Sequence, residues 1–254
     1  MKNNYNVLVI VNEEYFQLSK IFLKSLLENT DTKKIKNILI GDIGLSKDSI
    51  NYIKSLSSKI IIIDTGKNIF LNSDIKLHSE EWINAVCIKT ELAKKIIEKN
   101  IYFPLIVMDV DMIVLKDFSN IIDRSKQIQI CQRDKIVKRA DGFELKYIAS
   151  FFILNNFSVM LFLNDWIERI RERINLKTLP AYETPALCEI IDLYANKIKI
   201  GFLDENEISC DNSYKENTHI IHMKSNGSDY NNLLKDRISQ IKNYDVKKIM
   251  KYLN

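Results

Sequence analysis

The chain predicts an α/β fold with a mostly parallel central sheet in its first half and a mixed second half. Three observations carry this reading. Short apolar, β-branched runs that a sheet covered on both faces requires alternate four times with stretches of helical periodicity. Strand alternating with helix implies crossover connections and parallel neighbours. Glycine and proline number 6 and 3 in 254 residues, where ordinary usage gives roughly 30, which counts against collagen-like, low-complexity and turn-rich all-β classes.

The elements follow in order. Val7-Leu-Val-Ile-Val11 is a buried strand, and Phe16, Ile21, Phe22, Leu23, Leu26 and Leu27 recur at helical spacing after it. Ile38-Leu-Ile40 is a second strand, Ile50 to Leu56 a second helix, and Ile60-Ile-Ile-Ile63 a third strand. Trp82 to Ile97 reads as a third helix whose inner side carries Ala85, Cys87-Ile88, Leu92-Ala93 and Ile96-Ile97. Leu105-Ile-Val-Met108 is the fourth strand. Beyond Asp111, strands are expected at Met112–Leu115, Gln127–Cys131, Tyr147–Leu154, Ile198–Phe202 and His219–Met223. Helices are expected near Val159–Ile174 and Thr184–Tyr194. The segment from about Tyr230 to Leu253 reads as one basic amphipathic helix. Ile238, Ile241, Ile249 and Met250 are among its apolar positions, and Lys235, Arg237, Lys242, Lys247, Lys248 and Lys251 fill much of the rest. The expected organisation is one domain over 1–254: a nucleotide-binding half at 1–111, an acceptor and sugar half at 112–228, and the basic helix at 229–254.

Composition narrows function. A net charge of +4 from 37 basic and 33 acidic residues is not the dense basic face that nucleic acid requires. Gly41, Gly44, Gly66, Gly142, Gly201 and Gly227 cannot spell G-x-G-x-x-G or G-x-x-x-x-G-K-[ST], so a nucleotide would have to be held without a glycine cradle. The 4 cysteines are dispersed without a C-x-x-C pair, which favours reduced thiols in a cytoplasmic setting. The N-terminus runs into a strand with no signal-peptide apolar region. The uncharged stretch Ile148 to Leu163 is shorter than the ~20 residues of a membrane span.

The chemistry concentrates in Leu105-Ile-Val-Met-Asp109-Val-Asp111. A buried strand ends in two carboxylates separated by one residue, at the edge of an open α/β sheet where ligands bind. Two acids at the end of a core strand call for a cation, and a hard divalent ion completed by phosphate oxygens meets that need. Of the two late histidines, positions three apart on a strand face opposite ways, so at most one joins a metal site. His222 is preferred to His219 because a polar turn follows it.

With these residues the sequence resembles the GT-A glycosyltransferases, the Rossmann-like nucleotide-diphospho-sugar transferases, and most of all the glycosyltransferase 8 type. That family's apolar strand ending in D-x-D holds Mn²⁺ on the donor diphosphate. Other positions match in order. Val11-Asn12-Glu13-Glu14-Tyr15 stands where the family surrounds the nucleobase, which implies donor contacts at Asn12, Glu13 and Tyr15. Lys89 lies on the helix that carries a basic nucleotide contact. Ala149-Ser-Phe-Phe-Ile-Leu-Asn155 is similar to the F-N-S-G-V-x-L-x-N strand of the sugar pocket, implicating Ser150 and Asn155. Glu183-Thr-Pro-Ala-Leu187 takes the place of the D-Q-x-x-L helix start. Ile220-Ile-His222-Met-Lys224-Ser-Asn-Gly227 resembles the late I-H-[FY]-x-G segment, whose His is the third metal ligand. Phe151 and Thr184 stand where the pattern has Gly and Gln, and no Lys-Pro-Trp follows His222, so retaining and inverting stereochemistry both stay open.

The resemblance implies a metal-dependent hexosyl transfer from a nucleotide-sugar, UDP-sugar first, with Mn²⁺ or Mg²⁺ on Asp109, Asp111 and His222. Lys224 would be a second cation on the diphosphate, and Glu183 a sugar contact or, in an inverting enzyme, the acceptor-side base. The expected acceptor is a glycan or a lipid-linked sugar in bacterial surface-polysaccharide synthesis. The basic helix could then rest on the inner face of the membrane, or simply pack on the domain. Two other readings stay open. One is a haloacid-dehalogenase-type phosphatase with Asp109 as nucleophile, although that family opens with its D-x-D strand. The other is a non-catalytic nucleotide-sugar binder.

Overall fold

A computed structural model describes residues 4–67, 69, 80–99, 102–138, 143–176, 183–210, 213–223 and 237–253. The first half contains β1 (Tyr5–Val11), α1 (Phe16–Asn29), β2 (Ile35–Asp42), α2 (Lys47–Leu56), β3 (Ile60–Asp64), α3 (Glu80–Glu98) and β4 (Leu105–Met108). The chain continues through β5 (Met112–Val114), β6 (Ile128–Lys138), β7 (Glu144–Leu154), α4 (Met160–Asn175), α5 (Glu183–Tyr194), β8 (Ile200–Asp204), β9 (Ile208–Ser209) and β10 (Ile220–His222).

Seven strands form one sheet in the order β3-β2-β1-β4-β7-β6-β8, and β5-β10-β9 form a second, three-stranded sheet. β1 pairs in parallel with both β2 and β4, and β2 with β3. β7 runs antiparallel between β4 and β6, while β8 returns parallel to β6. The mostly parallel sheet and the mixed second half therefore stand as the apolar runs predict.

Strand alternation divides the core between the two faces of the large sheet. Val7, Val9, Ile106 and Met108 join Phe22, Leu26 and Ile53 from α1 and α2. Leu8, Leu105 and Val107 join Ile96, Trp166 and Ile190 from α3, α4 and α5 on the other face. Gly41 belongs to this packing. A Cβ there would meet Ile10 Cδ1 at 2.5 Å and Leu92 Cδ2 at 2.6 Å, so its bare backbone lets α3 lie close to β2. The sheet order reverses direction between β1 and β4, the crevice where open α/β sheets take ligands.

Three elements depart from expectation. β6 and β7 extend past the apolar runs as a hairpin whose outer residues on β6, from Gln132 to Lys138, are largely exposed. β9 is a two-residue strand that no apolar run announces. The largest correction concerns the C-terminal segment, which is not one helix. Arg237–Ser239 is helical, the chain then turns, Asn243 takes φ 61, Lys242 bridges to Ser213, and a short helix resumes at Lys247–Met250. Ile238, Ile241 and Ile249 are buried against Leu18, Ile21, Ile113 and Ile221, so the apolar positions face the fold. Its first residues, 230–236, lie outside the described ones. No described helix is long and apolar enough to cross a membrane.

Candidate metal and donor site

Strand register assembles the cluster. β4 ends at Met108, and the amide of Asp109 donates to the carbonyl of Ser150 on β7 (3.0 Å), which fixes where the first carboxylate leaves the sheet. After Asp111 the chain enters β5, whose antiparallel partner β10 sets His222 opposite Met112. The amide of Met223 donates to the carbonyl of Asp111 (2.8 Å) and closes that corner. His222 Nε2 consequently lies 3.1 Å from Asp111 Oδ1 and 3.8 Å from Asp109 Oδ2. One ligand atom from each of Asp109, Asp111 and His222 can be chosen so that all lie within 4.8 Å of one another. His219, one residue before β10, is not in this group.

Two cations flank the acids. Lys89 is buried on α3; its Nζ lies 2.5 Å from Asp109 Oδ1 and 2.9 Å from Glu183 Oε2 at the start of α5. Thr90 donates its hydroxyl to Glu183 Oε1 at 2.6 Å, so both carboxylate oxygens of Glu183 are engaged. Burial disfavours the charge on Lys89, but Asp109 and Glu183 outweigh it and hold its pKa above the ordinary lysine value. Burial pushes Glu183 the other way, from 4.5 up to about 7, against the pull of Lys89. On the far side Arg237 pairs with Asp111 Oδ2, donates to the carbonyl of Met223 (2.6 Å), and lies over the ring of Tyr15 at 5.7 Å. Burial works against the charge of Asp111, yet His222 and Arg237 hold its carboxyl below the usual carboxylate range. Asp109 is raised, by burial first and by the neighbouring Asp111, against Lys89 and His222.

The remaining expected site residues fall into two groups. Ser150 lies beside the cluster through its carbonyl, with its hydroxyl 3.9 Å from the Cys210 thiol. Tyr15 reaches the cluster through Arg237. Asn12 is buried at the end of β1, where its side chain accepts from the Tyr15 amide (3.2 Å) and donates to the Ile69 carbonyl (3.4 Å). Glu13 is turned to α2 instead, accepting from the Ser46 amide (2.7 Å) and the Ser49 hydroxyl (2.8 Å). Asn155 is not brought to the cluster. β7 runs antiparallel to β4, so Asn155 leaves the opposite edge of the sheet, about 16 Å of strand from Ser150, and donates to the Asp123 carbonyl (3.1 Å). Lys224 lies outside the described residues. Arg237 and Thr90 are the site residues that sequence reasoning missed.

Two carboxylates and an imidazole nitrogen at the mouth of the sheet form a donor set for a divalent ion such as Mg²⁺ or Mn²⁺. The model of the nucleotide-diphospho-sugar transferase family matches residues 46–233, well over half the chain. This chain belongs to that family. Solved structures agree on the fold at low sequence identity. An active-site mutant of LgtC superposes with a TM-score of 0.63 at 11% identity, over 97% of this chain and 94% of that one. The bifunctional glycosyltransferase WbbM gives 0.58 at 11%, covering 99% of this chain but only 52% of its own length. Mouse xyloside xylosyltransferase 1 gives 0.54 at 12%, over 86% and 97%. Among curated proteins nothing matches the chain.

Membership makes the protein a GT-A glycosyltransferase and removes the phosphatase reading of Asp109. The cluster lies at the carboxyl edge of β4.

Proposed function

We propose that this transferase takes its sugar from a UDP-sugar and anchors the donor diphosphate through Mn²⁺ or Mg²⁺ on Asp109, Asp111 and His222. The supporting observation is the convergence of those three side chains at the point where the sheet order reverses. When bound, the ion would supply Lewis-acid stabilisation to the leaving diphosphate and a template for its oxygens.

The chain's own residues prepare this arrangement. Lys89 holds Asp109 from behind, and Glu183 with Thr90 holds Lys89. Glu183 therefore acts on the donor through Lys89, and service as an acceptor-side base would require it to release one of these partners. Tyr15 and Asn12 border the crevice on the β1 side and are our candidates for nucleobase contacts. Ser150 lines the β7 side, and Lys224 remains a candidate diphosphate cation on its sequence position. The acceptor we propose is a glycan or lipid-linked sugar of a bacterial surface polysaccharide, reached without docking of the C-terminal segment on the membrane, because Ile238, Ile241 and Ile249 are buried within the fold.

The test is a thermal-shift series with UDP in Mn²⁺ and in EDTA. A ligand at a hundred times its dissociation constant stabilises by about 2.7 kcal/mol. We expect that gain only with the metal, since no glycine-rich cradle is available to hold phosphate alone. Equal stabilisation in EDTA would sink the metal-anchored reading.

A further inference from the structure

The two carboxylates of the cluster are arranged alike. Asp109 gives Oδ1 to Lys89 and turns Oδ2 to His222; Asp111 gives Oδ2 to Arg237 and turns Oδ1 to His222. Each acid thus has one oxygen committed to a protein cation and one aimed at the point the imidazole nitrogen also faces. Both cations are buried, and each has a further anchor: Glu183 for Lys89, the Met223 carbonyl for Arg237. Arg237 is also packed on the Tyr15 ring.

We infer that Lys89 and Arg237 are positioning residues that make Asp109 and Asp111 one-oxygen ligands, and that Arg237 thereby sets which ion the site accepts. The inference rests on the metal site proposed above and adds its selectivity. The chemistry is one of coordination number. Mg²⁺ and Mn²⁺ favour six ligands in octahedral array, whereas Ca²⁺ takes six to eight oxygens and readily uses both oxygens of a carboxylate. Two one-oxygen carboxylates and an imidazole leave three octahedral positions for phosphate oxygens and water, which suits the smaller ions. Freeing Asp111 Oδ2 would let that acid chelate with both oxygens and favour the larger ion. Outer-sphere partners that orient a ligand typically carry about ten- to a hundredfold in metal affinity.

The experiment is a Mn²⁺ titration followed by the electron paramagnetic resonance of free Mn²⁺, with Ca²⁺ as competitor, on the wild-type chain, Arg237→Met and Arg237→Lys. The wild type should bind Mn²⁺ well ahead of Ca²⁺. In Arg237→Met that preference should shrink about tenfold. Arg237→Lys, which keeps a cation on Oδ2, should restore most of it. A residue that only supported the fold would weaken both ions alike and leave their ratio unchanged, and that result overturns the inference. If the wild type binds no Mn²⁺, the proposed metal site itself fails and takes the inference with it. Should Arg237→Met not fold, a crystal structure of the wild-type Mn²⁺ complex decides. One Asp111 oxygen on the ion and the other on Arg237 sustains the inference, and both oxygens on the ion ends it.

Discussion

Lys89 and Arg237 neutralise the two acids of the cluster from opposite sides, on supports of different kinds. Lys89 belongs to α3, a helix of 19 residues packed between the sheet and α4. Its neighbours Cys87, Ile88, Leu92 and Ala93 are all buried, and it bridges two acids at once. Arg237 comes from a helical turn that ends at Ser239, on a segment held to the body by Ile238, Ile241 and Ile249. It serves one acid of the cluster and also holds the Met223 carbonyl beside His222. The first cation is built into the core, while the second is carried by a chain that docks onto it. Disturbing Lys89 should therefore reach the fold, and disturbing Arg237 should reach chiefly the cluster.

The largest effect tests what both supports exist to hold. Asp109→Asn and Asp111→Asn should each lower sugar transfer by about a hundredfold or more, beyond what the loss of an outer-sphere partner costs. Because Asp109 and Asp111 pair with buried cations, these substitutions should also lower stability. The loss should be smaller for Asp109→Asn, since Lys89 keeps Glu183. Near-normal turnover in either variant would remove the acids from the chemistry.

Next in size is the stability difference between the two cations. Lys89→Met leaves the buried Glu183 and the partly exposed Asp109 without their shared partner and should cost about 3–5 kcal/mol in urea unfolding. Arg237→Met leaves Asp111 beside His222 and should cost less, about 1.5–3 kcal/mol. Equal losses would break the contrast between core and docked support.

Much of this contrast was legible before any coordinates. Asp109 and Asp111 stand out because a run of four buried apolar residues cannot end in two acids without a use for them. Lys89 was marked only by the family resemblance, since helical spacing alone reads it as an ordinary surface lysine, and its burial beside Leu92 and Ala93 is what the structure adds. Arg237 has no such mark. Its stretch satisfies helical spacing, and only Asn243-Tyr244-Asp245 hints at a break; Asn is among the few side chains that tolerate the left-handed turn found there. The outer hairpin of β6 and β7 was hidden because exposed residues such as Lys135 and Lys138 need no apolar alternation to pair. Asn155 was placed by motif position alone, and the antiparallel course of β7 moves it to the far edge.

A smaller effect sharpens the Lys89 side. The Glu183 carboxyl is held at about 7 against an ordinary 4.5, so the folded protein binds more protons than the unfolded chain between those values. Stability contributed by this group is present below about pH 4.5, falls as pH rises through about 7, and is flat above, with an upper bound of about 3 kcal/mol. Glu183→Gln should flatten that decline when urea unfolding is compared at about pH 5 and about pH 8. An unchanged slope would mean that Glu183 is ionised throughout, held so by Lys89.

The smallest expected effect is none at all, and it tests whether the docked segment is committed to the fold as fully as α3 is. A basic amphipathic helix lying on anionic lipid would gain about 1 kcal/mol from each basic residue near the surface, provided its apolar face could enter the interface. Here Ile238, Ile241 and Ile249 pack on Leu18, Ile21, Ile113 and Ile221, and Met250 is the one large apolar side chain of the described C-terminal segment that is markedly exposed. Lys251 pairs with Glu28 on α1, and Lys248 lies over the Tyr244 ring, which directs part of the positive charge back to the protein. The full-length chain should therefore stay in the supernatant when spun with anionic vesicles, even at low salt. Removing the segment is a poor control, because it strips the cover from Leu18 and Ile221 and would make the remainder sticky for a different reason. Met250→Asp is the better one, since it blocks insertion while leaving the buried positions in place. Sedimentation of the wild type that Met250→Asp abolishes would show that the segment leaves the fold to meet lipid, and the docked half of the contrast would have to be redrawn.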